Sequence, residues 1–240
     1  MKPWFGRVGG KSKLARRIVA MIPKHKTYVE GFLGGGSVFL RKQKSEVEVI
    51  NDLDKDMYFL WTDVRKYGDK VSEMDFKGSR KEFEKLKKQK KLRGMERFRR
   101  NIYLSKFSFA SNRMNYVHKP PPKNLSTACK KVKTRLQDVV ILNKSWKTVV
   151  KKYDSEDTFM YLDPPYKTTK ANWGYRSFSA KELIKVIKNV KGKFLLSFEN
   201  DKASEKEFKN AGFTVKKIKT RYTAAPGKPF EKEELIVKNF

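Results

Sequence analysis

The chain has 240 residues, 57 of them lysine or arginine and 26 aspartate or glutamate, giving a formal charge of +31 and a sequence pI of about 10.1. A field that strong favours a polyanionic partner, while 38% hydrophobic and 13% aromatic residues suffice for a packed core and exclude a disordered chain. No apolar stretch approaches the roughly 18 residues that cross a bilayer, and the N-terminus lacks a secretory pattern, so an intracellular protein is expected. Cys129 is the only cysteine and His25 and His118 the only histidines; a disulfide within the chain is excluded, and a Cys/His zinc site or a histidine-based mechanism is a poor fit.

Near the N-terminus, Gly9-Gly10-Lys11-Ser12 invites a phosphate-loop reading. The pattern G-x-x-x-x-G-K-[ST] would need glycine where Phe5 stands, and no apolar strand precedes it, so ATP hydrolysis is unsupported. What remains is a glycine turn with a lysine, followed by a helical pattern at Leu14, Ile18, Val19 and Ile22. A β-favouring run from Thr27 then leads into Gly34-Gly35-Gly36, with Ser37 placed to cap a helix starting at Val38-Phe39-Leu40. Such a corner lets a ligand approach bare backbone, and the helix dipole favours its anionic end. It is not the dinucleotide fingerprint, which would need glycine at Phe39. Residues 48–52 read as the next strand, with Asp52 at its carboxyl end, where an acid meets a ribose in doubly wound folds.

The middle of the chain has a different texture. Ser79 and Glu82 have capping-box spacing, and residues 81–100 continue as a charged helical stretch with Phe83, Leu86, Met95 and Phe98 as its sparse apolar face. Residues 101–116 and the loop 119–124 mix aromatics, amides and cations. Arg113 can fork to guanine, Asn112 or Asn115 can pair with an adenine edge, and Lys106, Lys119 and Lys123 can hold phosphates.

Beyond it, the apolar run Phe159-Met160-Tyr161-Leu162 is stopped by Asp163-Pro164-Pro165-Tyr166. Proline has no N–H to continue a ladder, so the acid sits at the carboxyl end of a buried strand. Proline also holds the preceding residue extended, which lets the Asp163 carboxylate and the Pro164 carbonyl face one point. Two acceptors match the two hydrogens of an exocyclic amine, and the Tyr166 ring offers a surface for an unstacked base, a contact of roughly 1–3 kcal/mol. The polar stretch 167–177, with Trp173, is placed to fold over such a base. Ser179 and Glu182 open another helix, residues 194–198 form a strand, and residues 213–218 and 235–240 form a hairpin around a loop from 221 to 234.

Arg7-Val8-Gly9-Gly10-Lys11, residues 29–37 and Asp163-Pro-Pro-Tyr166, in that order, resemble the Dam-type, or D12 class, adenine-N6 DNA methyltransferases. The resemblance spans nearly the whole chain. It implies an α/β, doubly wound Rossmann-like sheet with a C-terminal β-hairpin and a mostly helical target-recognition insert. The catalytic domain would comprise residues 1–64 and 131–240, and the insert residues 65–130. It implies S-adenosylmethionine as donor, with Arg7, Gly9, Gly10 and Lys11 contacting it. Glu30, Phe32, Gly34 and Gly36 would line its pocket, Asp52 would take the ribose hydroxyls, and Asp163 would lie between donor and target. The implied partner is duplex DNA, met by a monomer without metal. Two departures stand out. Arg7 occupies a position that is usually aromatic, a packing contact that Trp4 or Phe5 would have to supply, and Gly31 replaces a common proline, which should loosen the glycine turn. An RNA or protein amino-methyltransferase, or an inactive basic DNA-binding relative, would share most of these residues; the N-terminal Gly-Gly-Lys and the insert's position favour DNA.

Overall fold

A computed structural model describes residues 1, 3–5, 10–166, 177–222 and 230–240. Strand β4 (Thr158–Leu162) is buried along its whole length, as a run without polar alternation requires when both faces of a parallel sheet are covered. It lies at the centre of a seven-stranded sheet of order β3-β2-β1-β4-β5-β7-β6. The strands β1 (Thr27–Glu30), β2 (Val47–Asn51), β3 (Val140–Leu142), β4 and β5 (Lys193–Glu199) run parallel. The closing hairpin of β6 (Thr214–Tyr222) and β7 (Phe230–Lys238) is antiparallel, with β7 against β5. From β1 the chain moves outward through β2 and β3, then returns to β4 and continues the other way. The crevice between the carboxyl ends of β1 and β4 is therefore the point where strand order reverses, the usual ligand position in open α/β sheets.

Alternation along the strands separates two apolar layers. Tyr28, Ile50, Phe159, Tyr161, Leu195 and Ile236 face α1 (Ala15–Ala20), α2 (Lys55–Tyr67), α4 (Gly94–Lys106) and α5 (Leu125–Arg135). Val29, Val49, Met160, Leu162, Phe194 and Leu235 face α6 (Trp146–Tyr153), α7 (Ala180–Ile187) and α8 (Lys202–Asn210). Between residues 65 and 130, Val71, Phe76, Phe83, Phe98 and Tyr103 join the same apolar cluster as Tyr28 and Trp61. The α/β sheet with a C-terminal hairpin matches the sequence reading, and its details correct that reading in three places.

The helix anticipated at Val38 is a single turn. Leu40 N–H donates to Gly36 O and Lys42 N–H to Val38 O, both at 3.0 Å, but no helix follows before β2. The charged stretch 81–100 is two helices, α3 (Arg80–Lys88) and α4, because residues 87–93 offer no apolar stripe and Gly94 takes a positive φ of 55°. At the start of α3, Ser79 Oγ accepts from Glu82 N–H as expected, but Glu82 pairs with Arg99 at 2.9 Å and Ser79 N–H donates to the Tyr103 hydroxyl. Ser179 and Glu182 do form the full box.

The glycine loop is held by packing. Gly36 has φ of 61°, and a Cβ there would lie 2.7 Å from the Trp61 ring. Trp61 cannot retreat. Its ring centroid is 6.3 Å from Trp4, 5.7 Å from Phe5 and 6.3 Å from Phe39, and its indole N–H donates to Gly34 O at 3.0 Å. Trp4 and Phe5, each 3% exposed, thus brace the loop from the N-terminal side. Gly36→Ala is expected to lower the unfolding free energy by about 2–4 kcal/mol in urea titrations, from left-handed strain plus overpacking; an unchanged midpoint would show that the loop is not clamped by Trp61.

Candidate active site

Two loops meet at the reversal point because β1 pairs with β4, with Glu30 opposite Tyr161. Gly31 prolongs that ladder by donating its N–H to Tyr161 O at 3.1 Å, and its carbonyl accepts from Asn51 Nδ2 at 3.0 Å. A Cβ on Gly31 would sit 2.8 Å from a Leu162 methyl. Proline here would forfeit the N–H and meet that methyl, so the expectation that Gly31 loosens the turn is replaced by its opposite. The rest of the loop is fastened to the end of β2. Leu33 N–H donates to Asn51 O at 2.8 Å, Gly34 N–H to Asp52 Oδ2 at 2.7 Å, and Asp54 N–H to Asp52 Oδ1 at 2.9 Å. Asp52 thus stands half-buried at the strand end predicted for it, with its carboxylate holding Gly34.

Glu30 is 2% exposed, and one oxygen accepts from the Tyr28 hydroxyl at 2.5 Å and from Phe39 N–H at 3.0 Å. The acid therefore satisfies the donor at the start of the single turn, where a helix had been expected. Burial is the main cause that pushes its pKa up to about 8; Asp163 adds to the rise, while the Tyr28 and Phe39 bonds and Lys42 oppose it.

Asp163 stands just past β4, its side chain 18% exposed, with Pro164 buried and Pro165 half-buried. Lys11 Nζ lies 2.8 Å from Asp163 Oδ1 and 3.6 Å from Glu234 Oε2, and 4.7 Å from the centroid of the Tyr166 ring. Burial works against the lysine's charge, but the two carboxylates outweigh it and hold its pKa above the ordinary lysine value. Burial raises the Asp163 pKa and Glu234 raises it further, against the pull of Lys11. The Tyr166 hydroxyl reaches Asp163 Oδ1 at 3.2 Å and Glu234 Oε2 at 3.1 Å, and its ring meets Phe198 edge-on at 6.1 Å.

Lys11, Asp163, Tyr166 and Glu234 are brought together by these contacts, Glu30 is near enough for Asp163 to act on its charge, and Gly34, Gly36 and Asp52 share the adjoining loop. Phe32 packs with Trp146 at 5.7 Å and Phe178 at 5.8 Å beside Gly31. Gly10 is exposed; Arg7, Gly9 and residues 167–176 lie outside the described residues, as do residues 223–229 of the loop from 221 to 234. Glu234 went unread because the sequence places it at the end of a loop. In the structure β7 begins at Phe230, and Glu234 occupies an inward position in line with Ile236. The signal was there as a Glu-Glu pair directly before Leu-Ile-Val, one acid of which must face the sheet's interior.

The residues read as DNA contacts divide. Asn115 and Lys123 are exposed. Asn112 Oδ1 accepts from Met114 N–H at 2.8 Å and Asn115 N–H at 3.1 Å, shaping the loop. Lys119 Nζ donates to Ser108 O at 2.8 Å. Two are turned inward. Lys106 Nζ donates to Trp4 O at 2.6 Å, and burial lowers its pKa. Arg113 is 8% exposed, its guanidinium 2.6 Å from Asp54 Oδ2 and 3.3 Å from Asp56 Oδ2, so in this structure it anchors the loop to the start of α2 and is not held out as a fork for guanine. Among the described residues no cluster of three or more His, Cys, Asp or Glu is placed to hold a metal, and no helix is long and apolar enough to cross a membrane.

Residues 8–224 match the family described as D12 class N6 adenine-specific DNA methyltransferase. The chain belongs to this family. It is 26% identical over 214 residues to the Type II methyltransferase M.CviBI of Paramecium bursaria Chlorella virus NC1A, covering 82% of each chain. It is 25% identical over 217 residues to the Type II methyltransferase M.MjaIII of Methanocaldococcus jannaschii, covering 75% of this chain and 74% of that one. As a D12 methyltransferase the chain is a DNA adenine methyltransferase, and its chemistry calls for a methyl donor.

The candidate site contains a buried acid, Glu30, whose ionisation is linked to stability. Because the Glu30 pKa is raised in the folded state, its contribution is complete below about pH 4.5 and is lost as pH rises through about 8. Glu30→Gln, which keeps an acceptor for Tyr28 and Phe39, is expected to gain stability relative to the parent on going from pH 5 to pH 8, on the order of 2–4 kcal/mol. Urea titrations of both proteins at the two pH values measure this; a difference that does not change with pH would mean that Glu30 is ionised throughout.

Proposed function

We propose that the chain transfers the methyl group of S-adenosylmethionine to N6 of an adenine flipped out of duplex DNA, at the crevice between β1 and β4. The observation that carries this reading is the junction at Gly31, which ties the glycine loop directly to the strand that ends in Asp163. The residues fit a cationic, ribose-bearing donor: backbone at positive φ at Gly34 and Gly36, a half-buried Asp52 at the strand end, and carboxylates nearby. Asp52 would take the ribose hydroxyls, with Phe32, Gly34 and Gly36 beside the donor and Arg7, Gly9 and Gly10 on its N-terminal side. Lys11 and Glu30, both buried, would set the field beneath it. When bound, the donor supplies an electrophilic methyl group carried on cationic sulfur.

The adenine amine is a poor nucleophile because its lone pair is delocalised into the ring. Asp163 and the Pro164 carbonyl would accept its two hydrogens and concentrate electron density on nitrogen as the N–C bond forms, with Pro165 holding the turn. The methylated amine is acidic enough to lose its proton to Asp163 or to water, so a strong base is not demanded. Alignment and an organised field contribute the larger share. Extruding the base costs a few kcal/mol, and contact with the Tyr166 ring would recover part of it. Residues 65–130 would read the target, with Asn112, Asn115, Lys119 and Lys123 toward DNA and Arg113 bracing them.

The test is tritiated methyl transfer from S-adenosylmethionine to duplex DNA. Asp163→Ala is expected to abolish transfer while calorimetry still detects donor binding; substantial residual turnover overturns the role given to Asp163, and transfer to RNA in place of duplex DNA overturns the acceptor. DNA binding should also weaken steeply with salt, each neutralised phosphate adding about 0.9 to the log–log slope. A nearly flat dependence, measured by fluorescence anisotropy, would contradict the electrostatic reading of the +31 charge.

A further inference from the structure

Alternation on four neighbouring strands sets four acids on one face of the sheet at one end. Glu30 follows Tyr28 on β1, Asp163 follows Tyr161 past β4, Glu199 follows Ser197 on β5, and on antiparallel β7 Glu234 precedes Ile236. Tyr28, Tyr161 and Ile236 share one apolar cluster, the Tyr161 and Ser197 hydroxyls lie 3.0 Å apart, and Glu199 is the register partner of Glu234. Glu30 serves the turn at Phe39, and Asp163 is the acceptor of the amine clamp. Glu234 is fully buried, at 0% exposure. An apolar side chain would pack at such a strand position without the desolvation that a carboxylate suffers. What the acid contributes must therefore lie in its contacts. These include the two groups that also hold Asp163, the Lys11 ammonium and the Tyr166 hydroxyl.

We propose that Glu234 is a positioning residue for the amine clamp: by drawing Lys11 and the Tyr166 hydroxyl partly onto itself, it keeps the Asp163 carboxylate open as an acceptor instead of closed in an ion pair. This deepens the reading of Asp163 given above and rests on it. Among the described residues the ionisable groups facing Glu234 include Lys11, Asp163, Tyr166 and Glu199, with Tyr161 and Glu30 next to them on the same face. The two carboxylates compete for one ammonium, 2.8 Å from Asp163 and 3.6 Å from Glu234. Removing the charge at 234 takes away one competitor for that ammonium and strengthens its pull on Asp163.

Glu234→Gln keeps the shape and an acceptor for Tyr166 but removes the charge. Its kcat for methyl transfer is expected to fall at least about ten-fold, with the donor dissociation constant changed less than about three-fold, because the loss falls on the reacting geometry. The Asp163 carboxyl, followed by carbon NMR in the protein without donor, is expected to titrate at lower pH in the variant, since Glu234 raises its pKa in the parent. Parental kcat, or a slower enzyme with an unmoved Asp163 titration, would overturn the proposal and leave Glu234 a packing residue. Should Glu234→Gln not fold, Glu234→Asp and Tyr166→Phe take its place. Each weakens one link to the clamp, and each is expected to lower kcat at near-constant donor affinity; parental kcat in both overturns the proposal. A parent that methylates no adenine would instead overturn the reading of the site itself.

Discussion

The parallel pairing of β1 with β4 is the constraint on which the site depends. Neither strand carries enough chemistry alone. Pairing them brings the loop after Glu30 and the turn after Leu162 to the same edge of the sheet, and reversal of strand order there leaves room between them. Gly31 is where this is enforced, with its N–H committed to Tyr161, its carbonyl to Asn51, and no space for a side chain beside Leu162. Asn51 extends the same clasp to the neighbouring loop, donating to Lys144 O and accepting from Lys144 N–H. A loop tied in this way is placed by hydrogen bonds of the sheet itself, which is why residues so far apart in the chain hold fixed positions.

Charge is organised against the overall balance. The protein carries +31, yet the carboxyl ends of β1, β4 and β5, with the middle of antiparallel β7 beside them, present acids on one face. A basic exterior draws in a polyanion, while an acidic floor suits a cationic donor. Burial makes Glu30 and Asp163 costly to ionise, and their raised pKa values are the direct expression of that cost. Lys11 offsets part of it and joins the N-terminal segment to β4 and β7 through one ammonium.

A second line of ionic contacts runs from the glycine loop toward the middle of the chain. Asp52 holds Gly34 and Asp54 N–H, Asp54 caps α2 and pairs with Arg113, and Arg113 sits in the left-handed region at φ of 59°. The arginine that seemed free to read a base is thus part of the frame that shapes its loop. Nothing in the local pattern distinguishes these uses of an arginine, because the same side chain suits a carboxylate fork and a guanine edge equally well. Lys106 misleads in the same way: a lysine between Ser105 and Phe107 suits a phosphate, and only the hydrogen bond from its ammonium to Trp4 O, 102 residues away, turns it inward.

What the sequence determined by itself was whatever depends on short-range covalent rules. The double proline ends β4 at Leu162 because it cannot continue a ladder, the triple glycine marks a loop in special backbone conformations, and Ser179 with Glu182 starts α7. Motif order added the family and hence the sheet. Tertiary structure alone decided the rest. Glu234 joined the site because a hairpin strand inserted antiparallel beside β5 carries it there across 68 residues from Tyr166. The three-residue β3 exists only as an edge to β2, too short for periodicity to reveal. The turn after Gly36 rests on Glu30, buried beneath it, which accepts the first-turn N–H of Phe39 from the end of β1. In each case the deciding partner lies on another strand, and its effect comes from burial and register, which pairing creates and no local window contains.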